Sequence, residues 1–286
     1  MGPIPPWLKE PKLAEDLGPY YRDHIIARTS LAFYKEYEAN EFGEEDPDWK
    51  GAGPRSVQDV TTELIFLANI ALWLAKDSLI NFEFVVHTEK LSGGWMPKQW
   101  LKIDPVQMAE SETANILGAE DIRVAKEIHA SIVRLDRKGA LWIAVRLLST
   151  ALRERLWETR FLLYWIALES LFGPVNQKRI TYQLSHRIGF FLASECQNAQ
   201  TIVCQAKEGY KLRSDIVHGM HLGKLTLQEE TRLEMETEDL VRRAFVKIIT
   251  DPELAQKFSG KDRDQYLDSL PFQPLPIVKT QESLDT

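Results

Sequence analysis

The sequence predicts a mainly α-helical protein whose C-terminal half forms a bundle of about five helices. From Glu120 onward, apolar residues recur at the three- and four-residue spacing of one helix face. Gly173 and Gly219 each follow such a segment and are well placed to end a helix, while Thr226 can cap the next one. Residues 161–168 are apolar on nearly all sides, which indicates a fully buried central helix.

Residues 1–57 are predicted to form an N-terminal arm followed by an acidic loop. Prolines near the start favour an extended chain, and a short helix is expected around 20–37. The acidic run 36–48 has two interpretations, a solvated loop or an acidic surface that binds a partner, and the loop is the simpler.

Residues 58–137 are predicted to be an N-terminal regulatory or sensor region. It opens with a helix over 58–78, where leucines and an isoleucine lie near helical spacing. Aromatic and β-branched residues favour a short strand at 81–87. Glycines and prolines over 91–118 predict a long irregular connection.

Residues 138–259 are predicted to form the helical bundle, and residues 260–286 a C-terminal tail. A helix that starts at Glu120 leads toward the bundle and is expected to end at Gly139. Helical segments then follow at about 141–148, 156–172, 180–193, 198–218 and 226–250. Pro252 suits the first position of a short final helix.

Composition limits the classes of function and location. The net charge of −7 gives no global electrostatic reason to bind nucleic acid or anionic membranes, so such binding would be local. Cys196 and Cys204 have no metal-like or secretory spacing, which indicates small core residues in a reducing compartment. Without a signal peptide or a long apolar run, the chain is expected to be cytoplasmic, with no membrane partner.

The stretch Tyr210–Gly219 (YKLRSDIVHG) concentrates more chemistry than any other. Arg213 can hold negative charge on a phosphate through its planar fork of donors. His218 carries an imidazole, which can take and give protons near neutrality. Five residues apart on a helix, the two side chains point roughly 140° apart. They can act together if the long Arg side chain bends toward the helix end, or if a second copy of the helix completes the site, in which case one copy supplies half of a site. An Arg and a His without an acidic metal cluster suit RNA cleavage by the 2′-hydroxyl.

Glu169 lies in the most apolar predicted helix, where a carboxylate is costly unless it is paired. Two interpretations remain open. The side chain can face solvent near the helix end, or it can pair with a cation from another helix, for which Arg213 is the candidate.

The segments Leu168-Glu-Ser-Leu-Phe-Gly-Pro174, the helix with Arg187, and Tyr210–Gly219 together resemble the HEPN superfamily, in particular its Apea-like group. The similarity covers roughly residues 138–255. It implies a helical bundle that dimerises and a metal-independent ribonuclease centre formed by Arg213 and His218 at the dimer interface. It also implies a bacterial toxin or antiviral-defence effector, with an antitoxin or defence-system protein as partner.

Further residues receive supporting roles from the resemblance and from local charge. Glu169 matches the acidic position that contacts the Arg, and Asp215 and Ser214 can orient the Arg or the RNA. Ser214 departs from the commonest pattern, which has Asn, Asp or His directly after the Arg. Basic residues outnumber acidic ones between 174 and 224. The expected RNA contacts in this stretch are Lys211, Arg187 and His221. Alternatively, these charges point in several directions and form no patch.

The sequence is therefore consistent with two functions from different classes. The first is a homodimeric endoribonuclease that requires no cofactor and no metal. The second is a non-catalytic binding or regulatory module in which Arg213, Glu169 and His218 form a structural network. A metal enzyme is disfavoured because no close set of ligands with suitable spacing is visible.

Overall fold

A computed structural model describes residues 2–3, 31–32, 57–76, 84–91, 94–102, 117–174, 179–193, 196–220 and 225–270. These ranges contain nine helices, so the predicted mainly α-helical class is confirmed. The chain divides into two compact units, Met1–His129 and Ala130–Thr286. The predicted boundary at 137/138 lies close to this division.

The first unit contains helix α1 (Val57–Ala75) and the beginning of helix α2 (Ala119–Val133). Lys76 and Asp121, just outside α1 and in the first turn of α2, form an ion pair at 3.4 Å. A second polar contact joins His129 Nε2 and the carbonyl oxygen of Leu64, which lie 3.4 Å apart. Helix α1 has nearly the bounds of the helix predicted over 58–78.

Strands in the first unit correct two predictions. A two-residue antiparallel pair joins β1 (Gly2–Pro3) and β2 (Leu31–Ala32), so residues 31–32 are not helical as expected. An antiparallel hairpin joins β3 (Phe84–Leu91) and β4 (Gly94–Lys102). The first strand of the hairpin overlaps the strand predicted at 81–87, but β4 occupies a segment for which an irregular connection was expected.

The irregular connection was predicted for the β4 segment partly because it contains Pro97. Pro97 pairs with Thr88 directly beside an irregularity in the strand register, between His87 and Thr88. Both strands of a two-stranded sheet are edge strands, where a residue without an N–H is tolerated. Proline content alone therefore could not exclude a strand.

The second unit contains seven helices within the described residues. They are α3 (Ala140–Ala151), α4 (Trp157–Phe172), α5 (Ile180–Leu192), α6 (Cys196–Val217), α7 (Leu227–Thr250), α8 (Pro252–Ser259) and α9 (Arg263–Ser269). Helix α4 lies at the centre, and its side chains Phe161, Trp165, Leu168 and Phe172 are fully buried. The predicted apolar helix is thus the core of the bundle.

Helix α4 is not buried on all sides, which corrects the expectation for residues 161–168. Ile166 is 38% exposed, and Leu162 and Leu163 are half-buried. An all-apolar sequence shows only that a helix lacks a polar face. It does not show which neighbour covers each side.

Gly139 begins helix α3 instead of ending the helix before it. Helix α2 ends at Val133, and Gly139 is the N-cap of α3. A Cβ at Gly139 would lie 2.8 Å from the carbonyl oxygen of Ser259 at the end of α8. A contact with a residue 120 positions later in the sequence decides the role of this glycine.

Two other boundaries are where the sequence placed them. Thr226 caps α7 in a capping box, in which its side chain accepts from the Glu229 N–H while Glu229 accepts from the Thr226 N–H. Asp251 caps α8, whose first residue is Pro252. Both signals are local, because the cap and the groups that it satisfies lie within four residues.

Helix α9 lies in the predicted C-terminal tail and is docked on the end of α4. Arg187 of α5 donates to the carbonyl oxygen of Phe172 (3.1 Å) and pairs with Asp264 (3.0 Å) and Asp268 (2.7 Å) of α9. Arg263 donates to the carbonyl oxygen of Ser170 at 2.6 Å. Two cations therefore neutralise the negative end of the α4 dipole and satisfy carbonyls there.

Because of this network, Arg187 is not available to contact RNA as was expected. Its side chain is only 5% exposed, and its donors are used within the fold. From the sequence, Arg187 looked available for RNA binding because it lies between two candidate segments. Its carboxylate partners could not be foreseen, because they lie about eighty residues further along the chain.

Replacing Arg187 by methionine is expected to destabilise the protein by about 2 kcal/mol, because charge-assisted hydrogen bonds to α4 and α9 are lost. The measurement is chemical denaturation, combined with hydrogen exchange on residues 263–269, which should lose protection. Asp268→Asn is the matched control, since Asp268 is 63% exposed and its loss should cost much less. Equal stabilities of Arg187→Met and the unmodified protein would contradict the structural role.

Candidate functional site

The candidate site lies where helix α6 crosses α4 and α7, and a glycine makes this close approach possible. A Cβ at Gly209 would lie 2.6 Å from Cζ2 of Trp165 on α4 and 3.1 Å from Oγ1 of Thr237 on α7. A glycine inside a helix usually weakens it. The structure has an unbroken α6 in which Gly209 serves helix packing.

One turn later, Arg213 pairs with Glu169 of α4, so the pairing interpretation of Glu169 is correct. Arg213 Nη2 lies 3.1 Å from Oε1 and 3.4 Å from Oε2 of the carboxylate. Both side chains are about four-fifths buried, with 23% and 22% exposure. Partial burial strengthens the attraction and also makes an unpaired partner costly.

The hydrogen bonding of this pair is incomplete. Nη2 lies closer to Oε1, but its hydrogen bond is to Oε2, at 3.4 Å. Among the described residues, Glu169 Oε1, Arg213 Nε and Trp165 Nε1 are buried and have no partner at ordinary hydrogen-bond geometry, although the Tyr210 phenol lies near enough to the Glu169 carboxylate to interact with it. Buried polar groups without partners are uncommon in folded proteins and are found at functional sites. The Arg213 Nε thus has no partner within the described residues, and its burial also keeps it away from solvent.

Tyr210 forms one wall of the site. Its ring packs edge-on against Trp165, with centroids 5.5 Å apart, and the Arg213 guanidinium lies 5.5 Å from its centre. Burial raises the pKa of the Tyr210 phenol, and the negative charge of Glu169 raises it further. The phenol therefore stays neutral at physiological pH.

Helix α6 ends at Val217, and Gly219, predicted to stop it, follows with a left-handed φ of 67°. The Met220 N–H donates to the Asp215 carbonyl (2.8 Å) and the Gly219 N–H to the Ile216 carbonyl (3.0 Å). These two bonds form a Schellman motif, in which His218 is the last residue of right-handed backbone. His218 is exposed at this helix end.

Arg213 and His218 therefore face different surroundings within one chain. Arg213 points toward α4, where it contacts Glu169, whereas His218 is exposed beyond the last turn of α6. The angle of roughly 140° between i and i+5 positions accounts for this separation. One chain places the two groups on one helix end without joining them in a hydrogen-bond network.

The remaining predicted site residues have mixed positions. Ser214 and Asp215 are half-buried, and Lys211 is exposed. The Ser214 carbonyl accepts from the His218 N–H at 3.1 Å, so this residue helps to fix the helix end. His221 lies outside the described residues.

Trp165 and Tyr210 also belong to the site, although no functional role was predicted for either residue. A usable signal existed for Trp165, because it precedes Glu169 by one helical turn. Tyr210 has the same relation to Arg213, three residues later. Cys204, predicted as a core residue, is exposed on α6.

Nowhere in the described part of the chain do three or more His, Cys, Asp or Glu side chains gather in a way that could hold a metal ion. Of the helices in these ranges, none is both long enough and apolar enough to cross a bilayer.

Comparisons with protein-family models, with curated proteins and with solved structures found no match for this chain.

Proposed function

We propose that this protein is a metal-independent endoribonuclease of the HEPN type, active as a homodimer. The observation that carries the proposal is Arg213, a largely buried cation held by Glu169, one turn and a half before an exposed histidine at the same helix end. A phosphate with its anionic oxygens is a natural ligand for such a guanidinium.

The reaction follows from these two groups. His218 takes the proton of a ribose 2′-hydroxyl, and the resulting oxygen attacks the adjacent phosphorus. The bond from phosphorus to the 5′-oxygen breaks, and that oxygen takes up a proton. Arg213 stabilises the additional negative charge of the transition state. The products are a 2′,3′-cyclic phosphate and a 5′-hydroxyl, and no metal or cofactor takes part.

Dimerisation follows from the separation of the two groups. A second copy at the same helix end can supply the histidine that the Arg213 of the first copy lacks. Val217 and Met220 flank His218 and are 52% and 48% exposed. Their burial between two copies would provide apolar area for the association.

A structural role for the same residues is the second candidate, and one observation favours it. The Arg213–Glu169 pair already links α4 and α6 and lies beside the packed rings of Trp165 and Tyr210. A non-catalytic module of this kind would bind or regulate a partner without cleaving RNA.

The biological role proposed here rests on the resemblance of residues 138–255 to HEPN domains. It is that of a cytoplasmic toxin or antiviral-defence effector, with an antitoxin or defence-system protein as partner. Residues 58–137 would act as the regulatory or sensor region.

The test compares an RNA substrate with the same sequence containing 2′-deoxy sugars. The full-length protein is expected to cleave RNA in the presence of EDTA and to leave 2′,3′-cyclic phosphate ends. It is expected to leave the 2′-deoxy substrate intact, because the nucleophile is missing. Cleavage that stops with EDTA, or that proceeds equally on the deoxy substrate, would refute this mechanism.

A further inference from the structure

The outward face of α6 carries a row of polar side chains that leads to His218. Lys207, Lys211, Ser214 and His218 follow the spacing i, i+4, i+7 and i+11, which keeps them within about 60° of one another around the helix. The row spans about 16 Å along the helix axis. We call these four residues the α6 row.

Few acidic residues lie near the α6 row. Helix α5, which packs beside α6, contains none, and α6 itself contains only Glu208 and Asp215. The carboxylate of Glu208 is paired with Arg232 of α7 at 2.6 Å. Asp215 lies four residues after Lys211, on the adjacent flank of the helix. The row itself carries two lysines and no carboxylate, in a protein whose net charge is −7.

An exposed aromatic ring lies beside the start of the row. Tyr182 of α5 is 44% exposed, and its ring packs on the imidazole of His186 with centroids 4.0 Å apart. The Lys207 ammonium lies 5.7 Å from the centre of the Tyr182 ring. The ring thus contacts His186 and the Lys207 ammonium and is also exposed in part to solvent, where an aromatic base could stack on it.

Helices α5 and α6 run antiparallel, so Tyr182 and His218 mark the two ends of one path. Gly189 of α5 lies against Val203 of α6, because a Cβ added at Gly189 would contact the Val203 side chain. Tyr182 precedes Gly189 by seven residues and contacts Lys207, which follows Val203 by four residues. The two helices therefore run in opposite directions. The surface therefore begins at the Tyr182 ring of α5 and continues along α6 with two lysines, a hydroxyl group and the candidate catalytic histidine.

We propose that Tyr182 and the α6 row bind single-stranded RNA and lead it to His218. A base stacks on the exposed part of the Tyr182 ring, and Lys207 and Lys211 contact successive phosphates. A duplex is excluded as the preferred ligand because its bases are stacked on each other and unavailable to the ring. This inference deepens the proposed ribonuclease function and rests on it for the direction of the path.

The experiment measures binding without cleavage. The probe is a fluorescent single-stranded RNA of about 12 nucleotides with 2′-O-methyl ribose, which lacks the nucleophilic hydroxyl. Fluorescence anisotropy with the full chain gives Kd at several salt concentrations. A duplex of the same sequence is measured in parallel.

Tyr182→Ala is expected to weaken binding about tenfold, and Tyr182→Phe to retain it. Lys207→Gln combined with Lys211→Gln is expected to weaken binding and to lower the slope of log K against log salt by about 1.4, two phosphates at 0.7 each. Lys261→Gln removes an exposed lysine outside this surface and should leave Kd unchanged.

The outcomes separate this inference from the proposed function. Undetectable binding by the unmodified protein, equal Kd values for all variants, or equal affinity for the duplex would overturn the RNA path. Weaker binding by the Tyr182 and lysine variants supports the path even if unmodified RNA is never cleaved, in which case the ribonuclease proposal alone fails.

Discussion

Replacing His218 by alanine is expected to reduce RNA cleavage at least about a hundredfold and to leave the stability of the fold unchanged. The side chain is exposed at the end of α6, so its removal leaves no cavity. Its backbone N–H still bonds to Ser214. The measurements are the single-turnover cleavage rate and the melting temperature of the same preparation.

Arg213→Ala is expected to abolish cleavage and also to lower the melting temperature. Its removal leaves the Glu169 carboxylate, four-fifths buried, without its cation. The double variant Arg213→Ala with Glu169→Gln should recover much of the lost stability but none of the activity. Arg213→Lys keeps the charge and loses the planar fork, so partial activity is expected.

These variants also separate the two proposed functions. Full cleavage by both His218→Ala and Arg213→Ala would eliminate the catalytic assignment. Loss of stability in Arg213→Ala, with no cleavage by any form of the protein, would favour the structural network. Mixed dimers of the two single variants give a direct test of shared sites. If Arg213 of one copy acts with His218 of the other, one intact site is restored and activity returns.

Replacing Gly209 by valine is expected to destabilise the protein by about 3 kcal/mol, the upper part of the range for overpacked cores. The first carbon added at Gly209 already lies 2.6 Å from the Trp165 indole, which is itself fully buried. The two methyl groups of valine would force α6 away from α4 and α7. Denaturation in urea, with the same slope in both proteins, gives the difference in unfolding free energy.

Gly209→Ala should cost less, because alanine favours the helix by about 1 kcal/mol relative to glycine. Gly118→Ala provides the matched control, since a Cβ there meets only the Asp121 carboxylate, at 3.5 Å. A fully stable Gly209→Val protein would show that α6 can move outward without loss of packing. Arg213 should lose part of its contact with Glu169 in the valine variant, so cleavage should fall as well.

Features set by neighbouring residues could be predicted from the sequence. The capping box at Thr226 and the helix end at Gly219 need only groups within one turn. The pairing of Glu169 was predictable as one of two interpretations, because a carboxylate in an apolar helix requires a cation. Its exposure and its unused oxygen were not, since they depend on how α6 crosses α4.

Features set by distant residues were predicted wrongly or missed. Arg187 was expected to contact RNA, and only its pairing with Asp264 and Asp268 shows that it holds α9. Gly139 was expected to end a helix, and its close approach to Ser259 shows why it begins one. No local pattern carries this information, because each partner belongs to a segment whose position is fixed only by the complete fold.

The docking of α9 links two local unfolding equilibria. Arg263 bonds to the Ser170 carbonyl, in the same turn of α4 that carries Glu169. Fraying of that turn and release of α9 both break this hydrogen bond, so the two local openings are coupled through it. Loss of the Arg263 side chain, far along the chain from Arg213, is therefore expected to loosen the turn that carries Glu169.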